Sequence, residues 1–175
     1  MKILFFICLF LISCSTGTKK NLSDSQKTRQ IENIYWQSDK DEGKRIFKNG
    51  KYEFESLIGG EHCATCIEKA EIKKIVFGDL SGTDGNDAVA IVYSETGGSG
   101  TFVYLNLYLK KNGTMEQSGF PIFLGDRVRV EKLSIKDKKV IVKMITHGAG
   151  EPLCCPSTKE TRHFKVENGQ LKKTD

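Results

Sequence analysis

Thr101-Phe102-Val103-Tyr104-Leu105-Asn106-Leu107-Tyr108-Leu109 is the stretch that decides the fold. In an extended chain Val103, Leu105, Leu107 and Leu109 fall on one side, and Phe102, Tyr104, Asn106 and Tyr108 on the other. Strict alternation in a run rich in branched and aromatic residues is the signature of a strand. The all-aliphatic side is expected to face the core. The aromatic side is expected to pack under another layer or at an edge, with a ligand platform as the alternative.

Reading outward, strands recur on both sides. Ile75-Val76-Phe77 is one, and the continuous apolar run of residues 88–93 suits a central strand. Downstream come residues 120–124 and then 128–135, where the apolar phase slips from Val128 and Val130 to Leu133 and Ile135. A slip of one residue predicts a bulge near Glu131-Lys132. Asp137-Lys138 turns the chain into residues 140–144, and Asn168-Gly169 joins residues 162–166 to 170–172 as a hairpin. Lys48-Asn49-Gly50-Lys51 predicts another hairpin, between Arg45-Ile46-Phe47 and Tyr52-Glu53-Phe54. Residues 22–36 hold a short helix, capped by Ser23 or Asp24, with Ile31, Ile34 and Tyr35 on one side. The expected fold class is therefore mainly β, with α+β as the alternative. Its architecture is an antiparallel β-meander, sandwich-like or a strongly curved sheet, with a short N-terminal helix.

The N-terminus gives an address. Lys2 precedes an apolar run over residues 3–12, too short to span a bilayer and followed by Leu11-Ile12-Ser13-Cys14. This ending resembles the lipobox of bacterial lipoproteins. The resemblance implies cleavage before Cys14, which becomes the lipidated N-terminus. Ser15 after the cysteine, rather than aspartate, favours the outer membrane facing the periplasm by analogy with enterobacterial sorting. The expected organisation is a signal peptide at 1–13, an anchored tether at 14–25 and one disulfide-stapled β-rich domain at 26–175. Cleavage removes 13 of 175 residues and leaves 162, enough for one domain with a core.

The formal net charge of +5 is modest and carries no arginine-rich stripe, so nucleic acid is excluded as the expected partner. The expected partners are the membrane, through the lipid, and an envelope protein or cell-wall component. Lys19-Lys20 add a weak attraction to a membrane surface or serve only to solvate the tether.

Four cysteines remain beside Cys14: Cys63, Cys66, Cys154 and Cys155. In an exported chain an even set predicts two disulfides. Adjacent cysteines strain the ring they close, so each of Cys154 and Cys155 is expected to pair with one of Cys63 and Cys66. Two alternatives stand beside this. Cys63-Ala64-Thr65-Cys66 has the spacing of a thiol oxidoreductase, and the helix-compatible run Ile67-Glu68-Lys69-Ala70-Glu71 would lower a thiolate pKa if it opened a helix. Four thiolates could also hold zinc, with His62, His147 or His163 replacing one. His62 precedes the pair, which excludes a haem attachment motif.

A second constellation runs from Asp79 to Asp87. Asp79, Ser81, Thr83 and Asp87, with a carbonyl near Gly85, place oxygens at alternate positions as calcium sites do. The competing reading is a polar turn in which Asp79 and Asp87 accept from backbone N–H groups. Calcium is the one cofactor raised by these residues. Gly97-Gly98-Ser99-Gly100 lacks the Lys-Ser/Thr of a phosphate loop and reads as a hairpin connection. No nucleophile setting points to a hydrolase.

Gly78-Asp79-Leu80-Ser81-Gly82, Thr96-Gly97-Gly98-Ser99-Gly100-Thr101-Phe102, Leu124-Gly125-Asp126-Arg127-Val128, Thr146-His147-Gly148 and Glu151-Pro152-Leu153-Cys154-Cys155-Pro156 follow one another along the chain. This order resembles a widespread group of exported bacterial proteins, the LppP/LprE lipoproteins, over roughly residues 33–171. The Asp79 segment also resembles the calcium loops of integrin-like propeller repeats, but carries Ser81 and Thr83 where those usually have acids or amides. The resemblance implies an anchored, folded envelope domain and supplies no reaction. The expected function is a lipid-anchored envelope protein with a non-catalytic binding or structural role. The alternative is a periplasmic thiol oxidoreductase using Cys63 and Cys66. The surface expected to bind comprises Asp126, Arg127, His147 and Arg162 with the loops at 79–87 and 97–100; Asp126-Arg127 is equally readable as a buried ion pair.

Overall fold

The computed structural model describes residues 22–37, 45–56, 66–82 and 87–174. It is a mainly β fold of antiparallel sheets with one short N-terminal helix, α1 (Asp24–Ile31). Ser23 caps that helix in a reciprocal capping box with Gln26. Two short strands, β1 (Tyr35–Trp36) and β2 (Arg45–Ile46), pair with each other. The main sheet contains β3 (Lys51–Ser56), β4 (Cys66–Gly78), β5 (Asp87–Thr96), β6 (Phe102–Lys111) and β7 (Thr114–Gln117) in meander order. β8 (Ile122–Asp126) follows β7 along the same edge of β6. The second sheet is a four-stranded meander of β9 (Arg129–Lys136), β10 (Lys139–Thr146), β11 (Thr158–Glu167) and β12 (Gln170–Thr174). Among the described residues no helix is long and apolar enough to cross a membrane.

The alternation in β6 sorts the layers. Val103, Leu105 and Leu107 join Val140, Val142, Met144 and Phe164 in the core between the two sheets. On the opposite side Tyr108 packs with Ile31 of α1 and Met115, while Tyr104 packs with Trp36 and Phe47. The helix and the β1–β2 pair are thus the layer that covers the aromatic face. Burial of these side chains is the principal stabilising term. Gln30 Oε1 accepts from the Met115 N–H at 3.0 Å, which fixes α1 against β7. Lys27, 4% exposed, lies over the Phe77 ring with its ammonium 4.7 Å from the centroid. All three apolar clusters lie within residues 31–171, so a chain beginning at Ser15 carries the whole described fold.

The bulge falls where the phase slip placed it: Lys143 faces Lys132, Met144 faces Val130, and Glu131 is the extra residue. Asn168 and Gly169 both have positive φ and close the β11–β12 hairpin. Asn49 and Gly50 also form the expected turn. The hairpin predicted around it is corrected, because only Lys48 and Lys51 bridge across the turn. β2 pairs back to β1 and β3 forward to β4, since Trp36 and Phe47 must both reach the aromatic face of β6. Tyr35, expected on the apolar side of the helix, is 55% exposed, and Trp36 takes its place at 1%.

Candidate functional site

The β8–β9 corner is where the sequence-selected surface residues meet. Gly125 has φ +148°, and a Cβ there would sit 2.6 Å from Val128 Cγ1, so the backbone crosses Val128 only as glycine. Arg127 follows with φ 51°, and its N–H donates to the Thr101 carbonyl at 2.7 Å. Asp126 Oδ1 accepts from the Thr101 N–H at 2.9 Å, while Oδ2 lies 3.2 Å from Arg127 Nη1. The guanidinium reaches two other loops. Nη2 donates to the Ser99 carbonyl at 2.6 Å and to Ser99 Oγ at 3.1 Å, and Nη1 to the Leu153 carbonyl at 3.3 Å. Arg127 therefore joins the 97–100 hairpin connection to the 148–157 loop. The Asp126–Arg127 pair is half-exposed rather than buried, with both side chains 24% exposed.

His147 and Arg162 support the same corner from behind. His147 Nε2 bonds to the Asp126 carbonyl at 3.1 Å, and because a carbonyl only accepts, Nε2 carries the proton. Arg162 Nη1 donates to the Leu124 carbonyl at 2.9 Å, and its other two nitrogens grip Glu160 at 2.7 and 2.8 Å. Those charge-assisted bonds hold the Glu160 carboxyl below its usual range. All four expected surface residues are thus brought together, though His147 and Arg162 act as supports for the backbone of β8.

Glu151, not selected from the sequence, organises the neighbouring loop. Its carboxylate accepts from the Ser157 hydroxyl, from the Gly148 and Ser157 N–H groups at 2.9 and 3.1 Å, and from Thr158 Oγ1 at 3.2 Å. The Ser157 hydroxyl first, then the two amides, pull its pKa down to about 2. Ser157-Thr158, two hydroxyl residues a few positions after a lone glutamate, were the available signal. Within this loop Cys154 and Cys155 are bonded to each other. The expected cross-pairing with Cys63 and Cys66 is corrected for this pair. The two cysteines are not an isolated dipeptide but part of a hydrogen-bonded turn. Here the Cys155 N–H donates to the Pro152 carbonyl at 3.2 Å, and Glu151 fixes the loop on both sides. Cys63 lies outside the described residues. Cys66 opens β4, and residues 67–71 continue that strand, so the helix that would acidify a thiolate is not there.

Beside the corner lies a groove of about 510 Å³ between β3–β5 and the start of β9. Lys51, Tyr52, Tyr93, Glu95, Thr101 and Arg129 line it together with Arg127. Lys69 lies 3.6 Å from Glu53, and Lys73 bonds to Glu71, whose carboxyl that bond lowers. The walls thus offer both signs of charge and two aromatic rings. The long charged strand β4 builds one wall; its first half, Ile67 to Glu71, is as compatible with a helix in sequence as with a strand.

The Asp79 constellation is organised as a turn where it is described. Asp87, 1% exposed, accepts through Oδ2 from the Leu80 N–H at 3.0 Å, the Ser81 N–H at 2.7 Å and Ser81 Oγ at 2.8 Å. Asp79 Oδ1 accepts from the Gly82 N–H at 2.7 Å, and Oδ2 lies 3.6 Å from the Lys138 ammonium. Thr83 and Gly85 lie outside the described residues. Among the described residues no group of three or more His, Cys, Asp or Glu side chains is arranged to hold a metal. No protein-family model, curated protein or solved structure matches this chain significantly.

Proposed function

We propose that this is a lipid-anchored cell-envelope protein, attached through Cys14 and presenting a non-catalytic ligand-binding groove beside Arg127. The observation that carries the binding half is the groove itself, about 510 Å³ in volume and flanked by the corner that Arg127 fixes to the 99–101 segment and the 148–157 loop. A concave site with a few converging polar groups and aromatic walls, held by rigid strands, is the usual form of a small-ligand site. The charged groups of the corner are engaged with backbone, which suits holding a shape more than moving protons. Lys51 and Arg129 supply cations, Glu95 a carboxylate and Tyr93 an aromatic face. That lining favours a ligand bearing both amine and carboxylate groups, such as a cell-wall peptide. The lipobox-like Leu11-Ile12-Ser13-Cys14 supports the anchor and an outer-membrane address facing the periplasm. The Cys154–Cys155 bond fits an oxidising compartment. The order of motifs resembling the LppP/LprE lipoproteins supports the same placement.

Two readouts test the reading. Mass spectrometry of the mature N-terminal peptide should find Cys14 carrying a diacylglyceryl group; an unmodified Cys14 in membrane-purified protein removes the anchor. Soluble cell-wall disaccharide-peptides, titrated into labelled protein, should move the amide resonances of Tyr93, Thr101 and Arg129. Arg127→Ala should weaken that binding roughly tenfold, the equivalent of about 1.4 kcal/mol. Shifts confined to other surfaces, or an Arg127→Ala protein that binds unchanged, would show that the groove is not the site.

A further inference from the structure

The second sheet carries a charge pattern that neither the groove nor the core explains. Its inner positions, Leu133, Val140, Val142, Met144 and Phe164, are buried against the first sheet. On its outer face Lys136 stands directly opposite Lys139, Lys139 opposite Lys165, and Lys165 opposite Lys172. One row of four lysines therefore crosses all four strands. Further along the same face Lys132 stands opposite Lys143. All six are exposed. Like charges directly opposite each other destabilise a sheet, because their Cβ atoms are only about 5 Å apart.

On the main sheet two strand lysines are neutralised by neighbouring glutamates. On β3 and β4 Lys69 faces Glu53 and Lys73 bonds to Glu71. On the outer face of the second sheet Lys165 pairs with Glu167 at 2.7 Å, and Arg129 lies 4.0 Å from Glu131. Six exposed lysines around Glu167 leave this face with a marked excess of positive charge. Between the lysine rows lies a shallow depression of about 290 Å³, lined by Lys136, Lys139, Ile141, His163 and Thr174, with Asp137 at its rim. Thr174 Oγ1 is buried there with no hydrogen-bond partner.

We infer that this face docks on a bilayer surface bearing anionic lipid headgroups. The cations are lysines, strongly hydrated point charges, set on a broad face at strand spacing of about 4.8 Å. Such a lattice matches many separate headgroups better than one shaped ligand. The inference rests on the anchor reading for its choice of partner. Seven residues lie between Cys14 and Leu22, eight steps of chain with a reach of at most about 28 Å, so a lipidated Cys14 keeps the domain within touching distance of a membrane.

The test uses the chain from Ser15 onward, which carries the described fold and no lipid. It should co-sediment with vesicles containing about 30% phosphatidylglycerol and not with pure phosphatidylcholine, and should be released at about 0.5 M salt. Lys136→Gln, Lys139→Gln, Lys165→Gln and Lys172→Gln together should lower the partition coefficient roughly a hundredfold, several-fold per charge. A control quartet, Lys48→Gln, Lys74→Gln, Lys110→Gln and Lys111→Gln, removes the same net charge from other surfaces and should cost less than about fivefold. Removing opposed like charges relieves repulsion, so the first quartet should melt no lower than the native chain. Equal losses in the two quartets, absence of vesicle binding, or binding to soluble poly(glycerol phosphate) in place of vesicles would each overturn the inference. Because the chain from Ser15 onward lacks Cys14, such a failure leaves the Cys14 mass readout and the groove titration standing.

Discussion

Asp87→Ala removes one carboxylate and leaves a worked deficit. Oδ2 of Asp87 satisfies the N–H groups of Leu80 and Ser81 and the Ser81 hydroxyl. Leu80 is 4% exposed and belongs to the core between the sheets, so water does not replace the lost acceptor at its amide. An unsatisfied buried donor costs about 1–3 kcal/mol, and a bond to a charged acceptor sits toward the upper part of that range. The Ser81 amide is only partly buried and recovers some of its loss from water. Oδ1, buried without a hydrogen-bond partner, offsets roughly 1 kcal/mol, because alanine no longer has to bury it. The net expected loss is about 3 kcal/mol, or about 6–12 °C in melting temperature for a domain of this size. Asp87→Asn keeps an oxygen acceptor without the charge and should lose about 1–2 kcal/mol. The assay is urea unfolding followed by Trp36, the single tryptophan, which is 1% exposed and packs on Phe47 and Tyr104. Hydrogen exchange at the Leu80 and Ser81 amides locates the effect. If the loop is a turn and not a metal site, about 1 mM calcium leaves the native melting curve in place. A loss below about 1 kcal/mol for Asp87→Ala, or a calcium-dependent rise in the native protein that Asp87→Asn abolishes, would refute the turn reading.

Two further outcomes follow from equally local geometry. Glu151 has its carboxyl lowered to about 2 from an ordinary 4.5, so the stability its bonds give the 148–157 loop is fully present above about 4.5 and disappears as pH falls through about 2. The Gly148 and Ser157 amide resonances should titrate together near the lower value in the native protein, and not at all in Glu151→Gln; a midpoint near 4.5 would show that these bonds do not form. Gly78→Ala places a Cβ 2.8 Å from Ile135 Cγ2 and 3.0 Å from its Cβ, and should cost about 1–3 kcal/mol by overpacking. Urea midpoints for Gly78→Ala, Ile135→Ala and the pair should show the double variant losing less than the sum of the singles; strict additivity would mean the two residues do not meet.

The parts legible in the sequence were those with a short-range cause. Alternation placed β6, the Asn-Gly dipeptides placed turns at Asn49-Gly50 and Asn168-Gly169, and the slip in apolar phase placed the bulge at Glu131. What escaped depends on partners distant in sequence. β4 carries Glu68, Lys69, Glu71, Lys73 and Lys74 and has no apolar alternation over its first half; it is a strand because β3 and β5 flank it. β7 offers one buried apolar side chain, Met115, whose burial depends on α1 some 85 residues earlier. The corner was half legible. Asp126 and Arg127 were legible as an ion pair or surface contact, but that Arg127 reaches both Ser99 and Leu153 follows from the pairing of β6 with β8. The Cys154–Cys155 bond escaped because a local strain rule was applied without the turn that Glu151 imposes.

The arrangement of layers accounts for where function can sit. The central strands β5 and β6 of the main sheet are covered on one face by the second sheet and on the other by α1 with the β1–β2 pair. The cover is incomplete over β3–β5, where Lys51, Glu53, Lys69, Glu71, Tyr93 and Glu95 share one face and line the groove beside the Arg127 corner. Among the described residues the second sheet packs through its inner face, and its outer face carries the lysine rows. The two regions lie at opposite ends of β10. Lys139 begins that strand within the row of four, and Thr146 ends it one residue before His147 reaches Asp126. Eight residues of strand separate them by about 23 Å, well beyond the distance at which substitutions couple. Contact of the lysine row with a charged surface therefore leaves the corner and groove free. One domain can in this way be oriented by its electrostatics at one end of β10 while it binds through fixed geometry at the other.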